Sequence, residues 1–268
     1  MAAQKPIERA VARVLELARE LARAAGEIQR SRFETEHRID TKGAPINLVT
    51  EVDHACERLI VDAIASERPS DAILAEEGGG ADRPDAEWRW IVDPLDGTTN
   101  YAHGYPCFCV SIGVERRGVR TVGVVYDPLR DELYWSVRGA GAHRNDEPVS
   151  VSKESQLGKA LLATGFAYDV HESDRDNLAE FGAFLKTARA VRRDGSAALD
   201  LCYVASGRFD GYWELNLRPW DVAAGLLIVE EAGGRTSDCS GGPAAAEQIV
   251  ASNGALHAAM LAVFAQLA

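Results

Sequence analysis

The segment IVDPLDGTTN, residues 91–100, limits how this chain of 268 residues can fold. An apolar run leads into Asp93, and Asp96 follows three positions later, with Pro94 between the two aspartates and Gly97 behind them. The run indicates a buried strand that ends at Asp93, with Asp96 in the turn that follows. Asp, Pro and Gly are common turn residues, so a simple tight turn is one interpretation. The other is a cation site with a phosphate-binding turn beside it.

The composition indicates an ordinary soluble globular protein, with 46% hydrophobic and 26% charged residues. The length suits one large domain or two fused halves. A net charge of −12 argues against a general affinity for nucleic acid or for an anionic membrane. Metal ions could still supply positive charge for an anionic substrate. The start of the chain carries charge every few residues, which predicts neither a signal peptide nor a membrane span.

The cysteines and histidines point away from several other chemistries. The five cysteines are odd in number and mostly far apart, which favours reduced thiols in the cytoplasm over a disulfide framework. Cys107 and Cys109 flank Phe108 in a strand-like run, so we expect both thiols to be packed in the interior. The six histidines show no metal-ligand spacing, and we expect most of them in loops or at the surface. The sequence contains no Walker A motif and no recognisable serine or cysteine nucleophile with a partnered base.

Hydrophobic periodicity predicts helices and strands along the whole chain. An opening helix begins near Ile7, and a second begins after Thr50, whose spacing from Asp53 resembles a capping box. Further helices are predicted at 177–187, SAALDLCYVASG, PWDVAAGLLIVEEAGG and from Gly254, and strands at DAILA, WRWIV, VSIGVE, VRTVGVVYD, ELYWSV, KALLAT, DGYWEL and QIVAS. A soft boundary near residue 150 divides one compact unit into two α/β halves, residues 1–150 and 151–268.

Five acidic residues occupy related positions: at the end of a predicted strand, in the turn that follows one, or in or beside the first turn of a predicted helix. They are Asp53, Glu76, Asp93, Asp96 and Asp221. Each alone has a structural explanation, since the helix dipole stabilises a carboxylate at a helix start. Gathered at neighbouring strand ends, however, they would repel one another unless cations lay among them. Oxygen ligands without histidine or thiolate favour magnesium, manganese or calcium over zinc.

The turn at residues 94–98 offers further groups for such a site. Pro94 stiffens the bend and would leave the Leu95 carbonyl free to coordinate a cation. Gly97 lets the backbone approach an anion closely. The amides of Gly97 and Thr98, if they begin a helix, make a phosphate-sized site.

With DPLDGTTN at 93–100 and WDVAAG at 220–225, the sequence resembles the inositol monophosphatase family of magnesium-dependent, lithium-sensitive phosphatases. LVTEVD at 48–53, AEE at 75–77 and EAGG at 231–234 follow in the family's order, and the resemblance covers nearly the whole chain. It implies an α/β (α+β) fold, a layered α-β-α-β-α sandwich that usually forms a homodimer. It also implies a phosphate monoester as substrate and two or three Mg²⁺ ions in each active site.

The resemblance also implies roles for individual residues. The first magnesium would be held by Glu76, Asp93 and the Leu95 carbonyl, and the second by Asp93, Asp96 and Asp221. Water activation would fall to Asp53 and Thr98, with Glu76 also facing a third, weaker metal position. The phosphate would lie on the amides of Gly97 and Thr98, and the alcohol half of the substrate among Asp96, Gly195, Ser196, Ala197, Glu214 and Asp221. Lys42 falls where the family has a mobile-loop lysine.

The substrate favoured by the sequence is inositol 1-phosphate, and the chain looks like the bacterial branch because Ser196 stands where animal enzymes carry threonine. Glu214 suits a neutral polyol, since a carboxylate accepts hydrogen bonds from hydroxyls and repels a second phosphate. Relatives with these motifs also hydrolyse fructose 1,6-bisphosphate or histidinol phosphate. Arg192 or Arg193 could serve a second phosphate, and Glu214 could pair with an amino group.

A regulatory or binding protein on the same fold is the alternative from a different class, because some bacterial relatives also act in transcription complexes. Retention of every expected metal ligand argues against a purely non-catalytic role.

Overall fold

The computed structural model describes residues 8–42 and 46–267 of the chain. The helices in these residues are α1 (Arg9–Arg32), α2 (Glu51–Glu67), α3 (Thr98–Ala102), α4 (Leu178–Thr187), α5 (Ala197–Ala205), α6 (Pro219–Glu231) and α7 (His257–Phe264), with a 3₁₀ turn at Leu157–Lys159. None of the described helices is long and apolar enough to cross a lipid bilayer.

The strands form two large sheets and one short hairpin. Their bounds are β1 (Ile39–Thr41), β2 (Leu48–Thr50), β3 (Ala72–Ala75), β4 (Trp88–Asp96), β5 (Cys109–Arg116), β6 (Val119–Asp127), β7 (Glu132–Val137), β8 (Ala142–Arg144), β9 (Glu147–Val149), β10 (Leu161–Thr164), β11 (Ala190–Arg192), β12 (Gly211–Leu215), β13 (Arg235–Ser237) and β14 (Gln248–Ser252). The seven-stranded sheet has the order β3-β4-β5-β6-β7-β8-β9, and the five-stranded sheet has the order β11-β10-β12-β14-β13.

Helices and sheets alternate in five layers, which confirms the predicted α-β-α-β-α sandwich. Helices α1 and α2 cover one face of the seven-stranded sheet, and α5 and α6 fill the space between the two sheets. Helices α4 and α7 cover the outer side of the five-stranded sheet. Each amphipathic element thereby buries its apolar side against a neighbouring layer. The division at residue 150 stays an interpretation.

Close approach of α6 to the central sheet depends on two glycines. A methyl group on Gly113 would lie 2.6 Å from the Ala223 side chain, and one on Gly123 would lie 2.7 Å from the Ala224 carbonyl oxygen. Any larger residue would push the helix away from strands β5 and β6. These glycines therefore set the position of α6, which carries Asp221 in its first turn.

The predicted helices and strands are present, with shifted ends and several additions. The predicted capping box at α2 is confirmed: the Thr50 side chain accepts hydrogen bonds from backbone amides of the first turn, and Asp53 accepts one from the Thr50 amide. Ile7, at the predicted start of the first helix, lies outside the described residues. The hydrophobic periodicity did not predict the short strands β1, β2, β8, β9, β11 and β13, because so few residues carry little periodicity.

The prediction that the strand ends at Asp93 is wrong. Strand β4 continues to Asp96, and its pairing with β5 is interrupted between Asp93 and Asp96, where the register shifts. Pro94 has no N–H to donate to the ladder, so the irregularity falls where proline requires it. Both aspartates therefore lie within one buried strand rather than in a strand and its turn.

His257 is an exception to the expectation that histidines lie in loops or at the surface, because it is buried at the start of α7. The Ser237 hydroxyl donates to the Asp238 carbonyl oxygen, so His257 Nε2 donates to Ser237 Oγ at 2.8 Å. Nδ1 then accepts from Ser252 Oγ at 2.9 Å, and the imidazole is neutral. Burial, helped by the positive charge of Arg235, lowers the pKa of His257 to about 4.

We therefore expect His257 to make the fold sensitive to mild acid. The unfolded chain binds a proton near pH 6.5 and the folded chain only near pH 4, so stability is lost as the pH falls through this window. Between pH 7 and pH 5 the free energy of unfolding should drop by about 2 kcal/mol more than in His257→Gln, measured by urea denaturation. Equal losses in the two proteins would contradict the neutral buried imidazole.

Candidate active site

The irregular end of β4 concentrates buried acidic groups. Asp93 and Asp96 are 2% and 9% exposed, so both carboxylates are almost removed from water. Asp93 Oδ1 accepts a hydrogen bond from the Leu95 amide at 3.0 Å, which fixes its side chain across the proline. The side chain of Gln29 in α1 donates to the Pro94 carbonyl oxygen at 2.8 Å. Helix α1 thus supports the irregular backbone from behind.

Asp96 is held by the start of helix α5, which belongs to the second half of the sequence. Its Oδ2 atom accepts hydrogen bonds from Ser196 Oγ and the Ala198 amide, both at 2.7 Å. A carboxylate in this position satisfies free amides at the helix start and is stabilised by the helix dipole. This contact joins residues about a hundred positions apart, and it explains why Ser196 and Ala197 border the same site as Asp96.

Asp53 and Thr98 form a second buried pair beneath the carboxylates. Asp53 Oδ2 accepts from the Thr50 amide at 2.9 Å, while Oδ1 accepts from the Thr98 hydroxyl at 2.8 Å. The same hydroxyl lies 3.1 Å from the Leu95 carbonyl oxygen. Gly97 precedes α3 with a left-handed backbone (φ +99°), and α3 begins at Thr98, as the sequence predicted conditionally. The pair therefore lies directly behind the turn that carries the predicted phosphate-binding amides.

Glu76 follows β3, beside β4, and is paired with Lys42. Lys42 Nζ donates to Glu76 Oε1 at 2.8 Å and also contacts Glu77. Burial alone would lower the pKa of Lys42, but the two carboxylates raise it. Glu77, which the sequence prediction left out of the site, has a side chain that is only 4% exposed, and its partial burial raises its pKa to about 7. Lys42 is thus the positive group nearest to Glu76 in the described part of the chain.

The site also includes Asp221, at the start of α6, and Glu214, in the five-stranded sheet. Asp221 Oδ2 accepts from the Arg218 amide at 2.7 Å, which anchors it in the first turn of α6. Glu214 lies in β12, is 6% exposed and accepts a hydrogen bond from the Tyr212 hydroxyl at 2.5 Å. Burial raises the pKa of Glu214 to about 7.

The acidic groups are close enough to alter one another's ionisation. Burial raises the pKa of Asp93 well above its ordinary value, and the charges of Glu76, Asp96 and Asp221 raise it further. Burial also raises the pKa of Asp96, to about 6, although the hydrogen bonds from α5 oppose this. Burial raises the pKa of Asp53 and Asp221 as well. The cluster is therefore a region of concentrated negative charge in a poorly solvated environment.

These groups surround one cavity of about 920 Å³. Of the residues singled out from the sequence, those that line it are Lys42, Glu76, Asp96, Gly97, Arg193, Gly195, Ser196, Ala197, Glu214 and Asp221. Asp53, Asp93, Leu95 and Thr98 are buried. Within residues 8–42 and 46–267, no three acidic, histidine or cysteine side chains stand together as a group that could hold a metal ion. The carboxylates lie near one another, but in the described residues they do not form a complete set of metal ligands.

The residues of segment 165–172, which forms a wall of the cavity, could not have been found from the sequence. Arg193, which the sequence offered for a second phosphate, lies beside this segment with its guanidinium 6.0 Å from the Phe166 ring centre. Asn100 donates to the carbonyl oxygens of Cys107 and Asp194, which ties the end of the DPLDGTTN segment to the loop before α5. Segment 165–172 has no periodicity and no motif, whereas Asn100 belonged to a quoted motif without a specified role.

Comparison with known proteins shows the family of this chain. Residues 10–268 match the model of the inositol monophosphatase family. The chain belongs to this family. An inositol-1-monophosphatase from Synechocystis is 46% identical over 245 residues, which cover 91% of this chain and 85% of the relative. A protein of Vibrio cholerae named Nus factor SuhB is 44% identical over 230 residues, covering 85% and 86% of the two chains.

Among solved structures, the inositol monophosphatase from Anabaena (Nostoc) superposes with a TM-score of 0.87 at 44% identity, and the match covers 96% of this chain and 97% of that one. This inositol monophosphatase family member is accordingly a phosphatase.

The charge cluster should be costly to the metal-free protein. Asp93→Asn keeps the acceptor for the Leu95 amide and removes a buried carboxyl group whose ionisation is disfavoured in the folded protein, so in chelator its Tm should rise by about 2–6 °C, which corresponds to about 1–2 kcal/mol. Magnesium should stabilise the unmodified protein more than the variant. Asp146→Asn, at a side chain that is 96% exposed, is the matched control and should leave Tm unchanged. Differential scanning calorimetry tests this, and a lower Tm of Asp93→Asn in chelator would contradict it.

Proposed function

We propose that this phosphatase is a magnesium-dependent inositol-1-monophosphatase, which converts inositol phosphate and water to inositol and phosphate. The observation that supports this most is that the carboxylates of Glu76, Asp96 and Asp221 line one large cavity together with Glu214, and that the buried Asp93 interacts with them. The acidic cluster suits cations and a phosphate group bound to them, and Glu214 suits hydroxyl groups.

The donor set fits a hard divalent cation. Every candidate ligand is an oxygen atom, and the carboxylates carry a mutual repulsion that a cation would relieve. Glu76, Asp93 and the Leu95 carbonyl would hold one magnesium, and Asp93, Asp96 and Asp221 a second, with Glu76 near a third. Glu76 would give up its ion pair with Lys42 on binding. Bound magnesium would lower the pKa of the attacking water and stabilise the leaving oxygen.

Thr98 and Asp53 are the groups that would orient the attacking water, with Glu76 on its other side. The Thr98 hydroxyl proton points at Asp53 Oδ1, so its lone pairs are available to accept a hydrogen bond from water. Burial makes Asp53 a stronger base than an exposed aspartate, since it raises the pKa of this carboxyl. The pair therefore combines a fixed geometry with a capacity to take up a proton.

The substrate would span the cavity. Its phosphate would lie against the amides of Gly97 and Thr98, whose left-handed turn leaves room for close approach. The alcohol half would be bordered by Asp96, Gly195, Ser196, Ala197, Glu214 and Asp221. Glu214 would accept hydrogen bonds from sugar hydroxyls.

Two further phosphate esters remain as alternatives on the same site. Arg193 lines the cavity and could bind the second phosphate of fructose 1,6-bisphosphate, while Arg192 lies outside the cavity lining. The amino group of histidinol phosphate could pair with Glu214. Since Glu214 would repel a second phosphate, we rank inositol 1-phosphate first.

A regulatory role is supported by a different observation, the 44% identity to a relative named Nus factor SuhB. It need not exclude catalysis. Replacing the chromosomal gene by one that encodes Asp93→Asn separates the two roles: if growth matches the unmodified strain and differs from a deletion strain, the cellular role does not depend on turnover.

We also propose a reducing compartment, the cytoplasm, and a homodimer. All five cysteines lie within the described residues and are free thiols. Leu178 and Leu185, two turns apart on α4, are 57% and 55% exposed, and a second copy of the chain could cover them. Light scattering of the purified protein measures the oligomeric state.

The proposed reaction predicts chelator-sensitive phosphate release. Purified protein with magnesium should release phosphate faster from inositol 1-phosphate than from fructose 1,6-bisphosphate or histidinol phosphate. An excess of chelator should abolish release, and Asp93→Asn should lose at least about a thousandfold in kcat because it removes a bridging ligand. A preference for another ester would move the substrate assignment, and turnover that survives chelation would refute the metal assignment.

Glu214 should govern substrate choice more than maximal rate. Glu214→Gln keeps the shape of the side chain and loses the charge, so kcat/KM for inositol 1-phosphate should fall about tenfold relative to fructose 1,6-bisphosphate. The ratio of the two kcat/KM values is the measurement. An unchanged ratio would mean that Glu214 serves the fold alone.

A further inference from the structure

Gly165, at the end of β10, lies directly against the carboxylate of Glu214. A methyl group on Gly165 would lie 2.2 Å from Glu214 Oε2 and 2.4 Å from Cδ, which is far inside van der Waals contact. Gly165 does not adopt the left-handed backbone conformation that favours glycine. Glycine is therefore needed here because there is no room for a side chain, not because of the backbone conformation. The Glu214 carboxylate occupies that space.

Glu214 has little freedom to avoid such a clash. The side chain is 6% exposed, and its Oε2 atom accepts the Tyr212 hydroxyl. Its strand is paired on both sides, with β10 and with β14. A displacement of the carboxylate would either break the bond from Tyr212 or move the group into the cavity.

A buried amide network fixes the backbone on both sides of this contact. Asn177 Nδ2 donates to Thr164 Oγ1 and to the Gly165 carbonyl oxygen, both at 2.8 Å. Its Oδ1 atom accepts from Trp213 Nε1 at 2.7 Å, and the Thr164 hydroxyl donates to the Trp213 carbonyl oxygen at 2.6 Å. Asn177 is 2% exposed, and the network uses both ends of its amide. It ties Gly165 to the residue that precedes Glu214.

The same hydrogen bonds hold together the residues on both sides of the segment that forms the cavity wall. Residues 165–172 line the cavity, and the segment returns to the core at Asn177, whose left-handed backbone (φ +65°) begins α4. Asparagine tolerates this conformation better than most residues. Asn177 thus connects Gly165, at the start of the wall segment, to the start of α4. Gly165 leaves space beside it for the Glu214 carboxylate.

We propose that Gly165 and Asn177 are positioning residues that set where the Glu214 carboxylate meets the hydroxyl groups of the substrate, and that they thereby determine the preference for polyhydroxy phosphate esters. This inference rests on the proposed function. A carboxylate displaced by about 1 Å loses much of its hydrogen bonding to a bound hydroxyl, because hydrogen bonds weaken steeply beyond their normal length.

Gly165→Ala tests the inference with two substrates. One is the polyhydroxy ester that the unmodified protein hydrolyses best, and the other is p-nitrophenyl phosphate, which has no hydroxyl group for Glu214. The variant should lose at least tenfold in kcat/KM for the first, mainly through KM, and stay within about twofold for the second. The matched control is Gly182→Ala on α4, where an added methyl group meets nothing within 4 Å and neither substrate should be affected.

A double variant separates positioning from a general packing defect. Glu214→Asp shortens the side chain by one methylene and makes room for a methyl group at position 165. Adding Gly165→Ala to Glu214→Asp should therefore cost less than about twofold, although Gly165→Ala alone costs tenfold. Asn177→Asp keeps the shape but replaces the donating amide, so it should reproduce the KM effect of Gly165→Ala with the same sparing of p-nitrophenyl phosphate.

The outcomes are distinct. If Gly165→Ala changes both substrates equally, or neither, or if its cost is the same beside Glu214→Asp, the positioning role is refuted while the phosphatase assignment stands. If the unmodified protein hydrolyses neither kind of ester, the proposed function itself fails.

Discussion

The structure depends on holding several carboxylates together in a place where water can hardly screen them. Asp93, Asp96 and Asp221 approach Glu76 at the irregular end of β4, and burial and mutual repulsion both disfavour their charged forms. What keeps them in place is a set of hydrogen bonds from backbone amides, among them those of Leu95 to Asp93 and Ala198 to Asp96. Charge-assisted bonds of this kind are among the stronger ones in proteins.

These supporting bonds come from distant parts of the chain. Gln29 in α1 donates to the Pro94 carbonyl oxygen, and an amide at the start of α5 donates to Asp96. Two glycines in the central sheet let α6 approach closely, and α6 contains Asp221. The site therefore lies where the layers meet, and it exists only when the whole sandwich has formed. Gathering like charges lowers the free energy of unfolding, and the packing of the sandwich offsets this loss. Proteins commonly give up stability in this way at functional sites.

The cavity combines two kinds of lining. Glu76, Asp96 and Asp221 concentrate negative charge, whereas Glu214 lies against Gly165, at the start of the segment that forms a wall. Under the proposed function, changes in that segment would alter the substrate preference while the acidic residues stay the same. The relatives of this chain carry different names, such as inositol-1-monophosphatase and Nus factor SuhB.

The sequence by itself determined the mixed α/β class, the long helices and central strands, and the identity of the acidic residues, because periodicity and short motifs are local properties. The layered arrangement was implied by the resemblance to a family and did not follow from periodicity. Tertiary structure alone decided that β4 runs on to Asp96, since continuation past Pro94 depends on pairing with β5. It alone placed Glu77 beside Lys42 and Gly165 against Glu214, because contacts between residues far apart in sequence leave no periodic trace in either segment. The acidic residues near the cavity could thus be singled out from their positions beside predicted strands and helices, whereas the shape of segment 165–172 followed only from how distant segments pack.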